Sequence, residues 1–284
     1  MPETILVTGA TGFIGNYVIE NLLQKKMTVI ASSHLKEKAV LMPWYEKVKY
    51  IPFDLHSNFS SQNLYEYFEK PDVCIHLSWQ GLPNYKESFH LEKELPAQLL
   101  FLSNLLRHGL KDLTVTGTCF EYGMQQGELT EEMEAMPNNN YARAKNELRL
   151  QLENLQRDYP FSLKWLRLFY MYGKGQNARS LFSQLEEALQ KKEKVFNMSG
   201  GMQVRDFLAV EKVAGYIVEA ALQTKITGVI NISSNKPVRV KDFIENFLQE
   251  NHQHIGLNLG YYPYPDFEPM EFWGNNHKLL SILQ

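Results

Sequence analysis

The sequence predicts an α/β protein: a doubly wound parallel sheet with a smaller, interleaved C-terminal lobe. Three observations carry this expectation. Apolar runs of strand length alternate with helical stretches as far as Phe169. A G-x-x-G-x-x-G block, Thr8-Gly9-Ala10-Thr11-Gly12-Phe13-Ile14-Gly15, stands between the first run and the first helix. Beyond Phe169 the rhythm loosens, and Gly, Pro and aromatic residues become frequent.

The expected strands are Thr4–Thr8, Met27–Ser32, Val48–Phe53, Val73–Leu77, Asp112–Thr116 and Ser162–Phe169. They are mostly continuous apolar runs, as strands covered on both faces require. The expected helices are Ile14–Gln24, Gln62–Phe68, Phe89–His108 and Tyr141–Arg157. Right-handed crossovers then bring the strand C-terminal ends to one edge, where ligands bind. A strand at Gln203–Leu208, a helix at Val210–Ala221, a strand at Gly228–Ile232 and a helix at Val240–Leu248 follow. The stretch Tyr261–Gly274 reads as irregular but packed. The division is expected at 1–169 for a cofactor-binding domain and 170–284 for a lobe interleaved with it.

The 284 residues are 44% hydrophobic and 21% charged, enough apolar surface for a large core. A net charge of −3 gives no bulk attraction to nucleic acid or membrane. Two cysteines, Cys74 and Cys119, make no disulfide framework, and no apolar run approaches the roughly 20 residues of a membrane span. A cytoplasmic protein is expected. His252 and His254 are an isolated pair, and no metal site is expected.

The glycine block has separable roles. Gly9 allows the tight turn, Gly12 lets the backbone approach a pyrophosphate, and Gly15 lets helix and strand pack closely. The helix N-terminus then offers free N–H groups to the phosphates. At the end of the second strand an NAD site carries an acid, whereas here Ser32-Ser33-His34-Leu35-Lys36 follow and the first acid is Glu37. Ser33, His34 and Lys36 suit a 2′-phosphate, so NADP(H) is the expected cofactor. Asp54 and Leu55, after the third strand, and Leu77, at the end of the fourth, complete the cofactor contacts with Phe13, Ile14, Tyr141 and Lys145.

Tyr141-Ala142-Arg143-Ala144-Lys145 is a Y-x-x-x-K, whose spacing of four puts both groups on one helix face. A phenol is a poor acid or base near neutrality, and a neighbouring ammonium is expected to bring its pKa down. Thr118, at a strand C-terminal end, can polarise a carbonyl oxygen, and Thr116 is the second choice.

With these residues in place the sequence resembles the extended short-chain dehydrogenase/reductase family, in its NAD(P)-dependent sugar epimerase/dehydratase branch. The likeness rests on Thr8–Gly15, Asp72–Ser78, Thr118 with Tyr122-Gly123, Tyr141–Lys145, Leu166–Gly173 and Val204–Phe207. It implies a Rossmann domain, a nucleotide-sugar lobe, and Thr118, Tyr141 and Lys145 as the catalytic set. It also implies Arg205 on the nucleotide diphosphate and Phe196 and Asn197 near the base. Family 4,6-dehydratases carry acids directly after the catalytic Thr, where this chain has Cys119 and Phe120, so dehydration is not expected.

Gly117–Gly123 and Glu268–Gly274 are similar to sugar-nucleotide 4-ketoreductases of the CDP-abequose synthase and dTDP-4-dehydro-6-deoxyglucose reductase types. The expected reaction is NADPH-dependent reduction of a nucleotide-linked 4-keto-6-deoxyhexose, with Trp79, Glu121 and Asn177 near the sugar. The alternatives are a 4-epimerase with tightly held NAD and a non-catalytic dinucleotide sensor. A homodimer is expected, with an apolar stripe, Leu95, Leu99, Leu102 and Leu106, on a helix that could pair across a two-fold axis.

Overall fold

The structure, a computed structural model, describes residues 4–284. Seven parallel strands form the central sheet: β1 (Thr4–Thr8), β2 (Thr28–Ser32), β3 (Lys49–Tyr50), β4 (Val73–His76), β5 (Asp112–Thr118), β6 (Ser162–Leu168) and β7 (Gly228–Ile232). Their spatial order is β7-β6-β5-β4-β1-β2-β3. The order reverses beside β1, so the switch point lies between β1 and β4, where the glycine block emerges.

Alternating side chains of each strand feed two layers. Ile5 and Val7 of β1 pack with α1 (Phe13–Gln24), while Leu6 joins the opposite layer, which includes α2 (Leu95–Arg107) and α3 (Asn140–Leu155). After α4 (Leu181–Gln190) in the second lobe, the chain returns. Helix α5 (Val210–Leu222) packs Val213, Ile217 and Val218 into the same layer as α1, and β7 extends the sheet. The second lobe's own core gathers Leu185, Phe196 and Met198 against Ile244 and Leu248 of α6 (Val240–Glu250).

The third strand is shorter than Val48–Phe53. Pro52 has no N–H to give the ladder, and regular pairing stops at Tyr50, although Ile51 and Phe53 still donate to β2-side carbonyls at 3.0 and 3.1 Å. The expected helix Phe89–His108 divides. His90–Glu94 is a π-helical turn, and the α-helix begins at Leu95 with Pro96 in its first turn. Proline clashes with the carbonyl four residues back, which favours the wider turn. That turn buries both His90 and Glu94.

The leucine stripe is taken up inside the chain. Leu102 and Leu106 are buried, and Leu95 and Leu99 pack on the same core. Leu95 and Leu99 are only partly buried, so that half of the stripe keeps some exposed surface. Among the described residues no helix is long and apolar enough to cross a membrane.

Candidate active site

The glycine block turns immediately after β1. Gly9 adopts φ +68, and a Cβ there would lie 2.8 Å from the Ser78 nitrogen; a Cβ on Gly15 would lie 2.3 Å from the Gly9 carbonyl oxygen. Both positions exclude a side chain, so the loop keeps a bare backbone cradle at the start of α1. This is the shape a dinucleotide pyrophosphate needs.

A buried polar chain fixes the cradle from below. Gln98 Nε2 donates to Ser78 O at 3.0 Å and to Glu94 Oε1 at 2.7 Å, so its amide oxygen accepts from His76 Nε2. His76 Nδ1 then accepts from the Thr8 hydroxyl at 2.8 Å. Burial, aided by the Lys145 charge, pushes the His76 pKa down to about 3, so the ring stays neutral.

Two cavities meet at this loop and share Gly9, Gly12, Leu77 and Trp79. The smaller, about 190 Å3, runs along the end of β2 past Ser32, Ser33, His34, Lys38 and Leu55. Lys36 does not line it. Lys36 opens a short helix, Lys36–Ala39, and the lysine half a turn later faces the cavity instead. Asp54 is also absent from the lining; it is exposed, and its carboxylate accepts from the His56 backbone N–H at 3.0 Å, closing a local turn.

The larger cleft, about 530 Å3, brings together Thr118, Tyr141 and Lys145, with Phe13, Ile14, Trp79 and Asn177 also lining it. Thr118 ends β5 and caps a short 3-10 turn, Cys119–Tyr122, accepting from the Phe120 N–H at 3.3 Å. Asn139 caps α3 by accepting from Ala142 N at 2.9 Å, and Tyr141 N donates to Tyr85 O at 3.0 Å, which fixes where the phenol stands. Lys145 Nζ donates to Thr116 O at 2.8 Å and sits 4.1 Å over the Trp79 ring. Thr116 itself is engaged, its hydroxyl directed at His76 O.

Burial raises the Tyr141 pKa above the ordinary phenol value, reinforced by Tyr85, Glu121 and Cys119 and opposed by a hydrogen bond with Thr118. The expected lowering by the ammonium is not what the structure shows. Desolvation is the largest influence on Tyr141, and the opposing pull comes from Thr118, not from Lys145; burial also pulls Lys145 down to about 7 against the pull of Glu121 and Glu94. The phenol therefore stays protonated at neutral pH.

Three expected substrate residues face away from the cleft. The Glu121 carboxylate is fully buried in the interior, accepting from Thr118 N at 2.9 Å, Trp165 Nε1 at 2.9 Å and Arg167 Nε at 2.9 Å. Phe196 is a core residue of the second lobe. Arg205 is 2% exposed. Its guanidinium donates to Val204 O at 2.8 Å, Met270 O at 3.1 Å and Glu268 Oε2 at 2.9 Å, and it lies 4.5 Å from the Phe272 ring centroid. Glu268 also accepts from the Tyr170 hydroxyl. Asp206, the nearer acid in sequence, instead accepts from Ser234 N and Asn235 N at 2.8 and 2.9 Å.

Sequence reasoning missed Lys38, Gln176 and Arg179 as lining residues. Their local sequence carries a charge or an amide but no signal of orientation. Among the described residues no carboxylate lines the larger cleft. His252 and His254 lie exposed, and among the described residues no three His, Cys, Asp or Glu side chains group as a metal site.

A sequence profile of the NAD dependent epimerase/dehydratase family matches residues 5–233. The chain is 27% identical to dTDP-6-deoxy-L-talose 4-dehydrogenase (NAD(+)) of Aggregatibacter actinomycetemcomitans, over 95% of this chain and 98% of that protein. It is 28% identical to GDP-6-deoxy-D-talose 4-dehydrogenase of the same organism, over 98% and 90%. The fold is shared with UDP-N-acetylglucosamine 4-epimerase from Methanobrevibacter ruminantium M1, solved in complex with UDP-N-acetylmuramic acid. The TM-score is 0.86 at 21% identity, covering 99% of this chain and 91% of that one.

Proposed function

The chain belongs to the NAD dependent epimerase/dehydratase family, and from that premise we propose that it reduces the 4-keto group of a nucleotide-linked 4-keto-6-deoxyhexose with NADPH. One observation carries this reading: Thr118, Tyr141 and Lys145 converge beside the glycine cradle in a cleft that, among the described residues, no carboxylate lines. Such a cleft suits a carbonyl–alcohol interconversion. It offers no carboxylate for the proton transfers of dehydration.

A bound nicotinamide supplies the hydride. The Tyr141 phenol, kept protonated by burial, donates a proton to the developing alkoxide, and the Thr118 hydroxyl holds the carbonyl oxygen. Lys145, fixed by Thr116 O and the Trp79 face, would hold the cofactor ribose with its ammonium. Cys119, Phe120, Tyr85 and Tyr170 make an apolar wall suited to a sugar methyl group. The 6-deoxyhexose names of the two dehydrogenases support the same substrate class.

The preference for NADPH rests on Ser33 and His34 after β2 and Lys38 in the short helix that follows, where among the described residues no acid lines the smaller cavity. The name of one relative specifies NAD(+), so the preference is tested directly. Lys38→Glu should lower kcat/KM for NADPH at least about tenfold and leave NADH little changed, since one lost charge-assisted phosphate contact accounts for that much. Equal loss with both cofactors would refute it.

Lys145 gives a second test. With its pKa at about 7, the ammonium is lost as pH rises through that value. An anionic cofactor favours the charged form, so NADPH binding at about pH 8 should take up protons. Calorimetry in two buffers of different ionisation enthalpy should detect the uptake, and Lys145→Met should abolish it. Uptake that persists in the variant would place the titrating group elsewhere.

The activity itself is read as falling NADPH absorbance with dTDP-, GDP-, CDP- or UDP-linked 4-keto-6-deoxyhexoses. Protein that purifies with NAD and interconverts sugar epimers without added cofactor would overturn the reading in favour of an epimerase. Absence of turnover despite dinucleotide binding would favour a sensor.

A further inference from the structure

The substrate class just proposed carries a diphosphate, and the arginine expected to meet it is closed off. Arg205 has donors on two carbonyls and on Glu268, and 2% of its surface is exposed. A phosphate could reach it only by displacing Glu268 from a buried ion pair.

The larger cleft has two cationic side chains in its lining, Lys145 and Arg179. Lys145 lies deep, 2% exposed, beside the catalytic phenol. Arg179 is exposed, on the loop between Tyr172 and α4. Its guanidinium makes one contact, to the neutral Asn84 Oδ1 at 3.2 Å, and it forms no ion pair with any described residue. That bond joins the two loops at the cleft mouth, Gly81–Phe89 and Gly173–Ser180. Ser180 next to it also lines the cleft and caps α4, accepting from Ser183 N at 3.2 Å, so the start of that helix lies at the cleft.

We propose that Arg179 is the diphosphate anchor of the nucleotide-sugar site, in place of Arg205. The inference rests on the nucleotide-sugar reading above. A planar guanidinium held by a single long bond to an amide oxygen is ready to exchange it for a bidentate pair with phosphate oxygens. Arg205 acts instead as a structural tie between the strand Val204–Ala209 and the segment around Glu268 and Met270.

The test is binding of dTDP, GDP, CDP and UDP, measured calorimetrically on the full chain, in the parent, Arg179→Ala, Arg179→Lys and Arg205→Lys. The parent should bind at least one of these diphosphates, and more weakly as salt rises. Arg179→Ala should weaken that binding at least about tenfold and flatten its salt dependence, with NADPH affinity and melting temperature unchanged. Arg179→Lys should recover part of the loss. Arg205→Lys should lower the melting temperature and keep the diphosphate affinity. Parent-like binding by Arg179→Ala, loss of NADPH rather than diphosphate binding, or a tenfold loss in folded Arg205→Lys would each overturn the assignment of Arg179. Failure of the parent to bind any nucleoside diphosphate would overturn the nucleotide-sugar reading and the anchor with it.

Discussion

Tyr141→Phe should lower kcat by about 10²–10⁴-fold, the range for loss of a positioned proton donor. Fold and cofactor affinity should stay close to the parent's. The ring remains, and with it the contacts to Trp79, Tyr85 and His90 at centroid distances of 5.8, 5.6 and 5.4 Å. Only the hydroxyl is lost, and its hydrogen-bond partner Thr118 keeps the Phe120 N–H. Steady-state rates at saturating sugar and NADPH, alongside a thermal melt, check the outcome. A folded variant within tenfold of parental kcat would remove Tyr141 from the chemistry.

The largest stability effect should come from Glu121→Ala. It strips the partner from Arg167 Nε, Trp165 Nε1 and the Thr118 N–H together. Arg167 is 2% exposed, and its Nη1 already lacks a partner, so the guanidinium would be left charged in the interior. Breaking a buried pair from one side costs about 3–5 kcal/mol. Urea denaturation should show a loss of that size, and Glu121→Gln, which keeps an acceptor oxygen, a smaller one. A loss below about 1 kcal/mol for Glu121→Ala would show that the ion pair is not a structural tie. The Thr118 backbone would also lose its capping bond, so activity should fall in whatever fraction stays folded.

Most of the sheet was legible because each inner strand is a continuous apolar run bounded by turn residues. Thr4–Thr8 and Gly228–Ile232 match their expected limits. The convergence of Thr118, Tyr141 and Lys145 was legible for a related reason: Thr118 closes a strand, Tyr141 opens a helix capped by Asn139, and Lys145 follows one turn later on the same face.

What was not legible depended on side-chain direction or on distant partners. Glu121 was expected at the sugar, but the 3-10 turn folds its carboxylate back onto Thr118 N. Arg205 was expected on phosphate, but its partner Glu268 lies 63 residues away. Lys36 and Lys38 differ only by rotation around a short helix, which composition does not reveal. The π turn at His90–Glu94 is explained by Pro96, yet proline in a helix's first turn is ordinary and gave no warning.

The place of β7 in the central sheet bears on how the protein is made. It pairs with β6 along five residues, Gly228–Ile232 with Lys164–Leu168, and its crossover contains α5, which covers the α1 side. A nascent chain emerging in order has β6 with a bare edge and α1 with an uncovered apolar side until residue 232 clears the ribosome. In that interval the chain presents an unpaired strand edge of the kind that templates aggregation. Release of a fragment ending near Phe169 would make the interval permanent. A fragment ending near Phe169 is therefore expected to give less soluble protein than the full chain, as a comparison of the two expressed side by side would show.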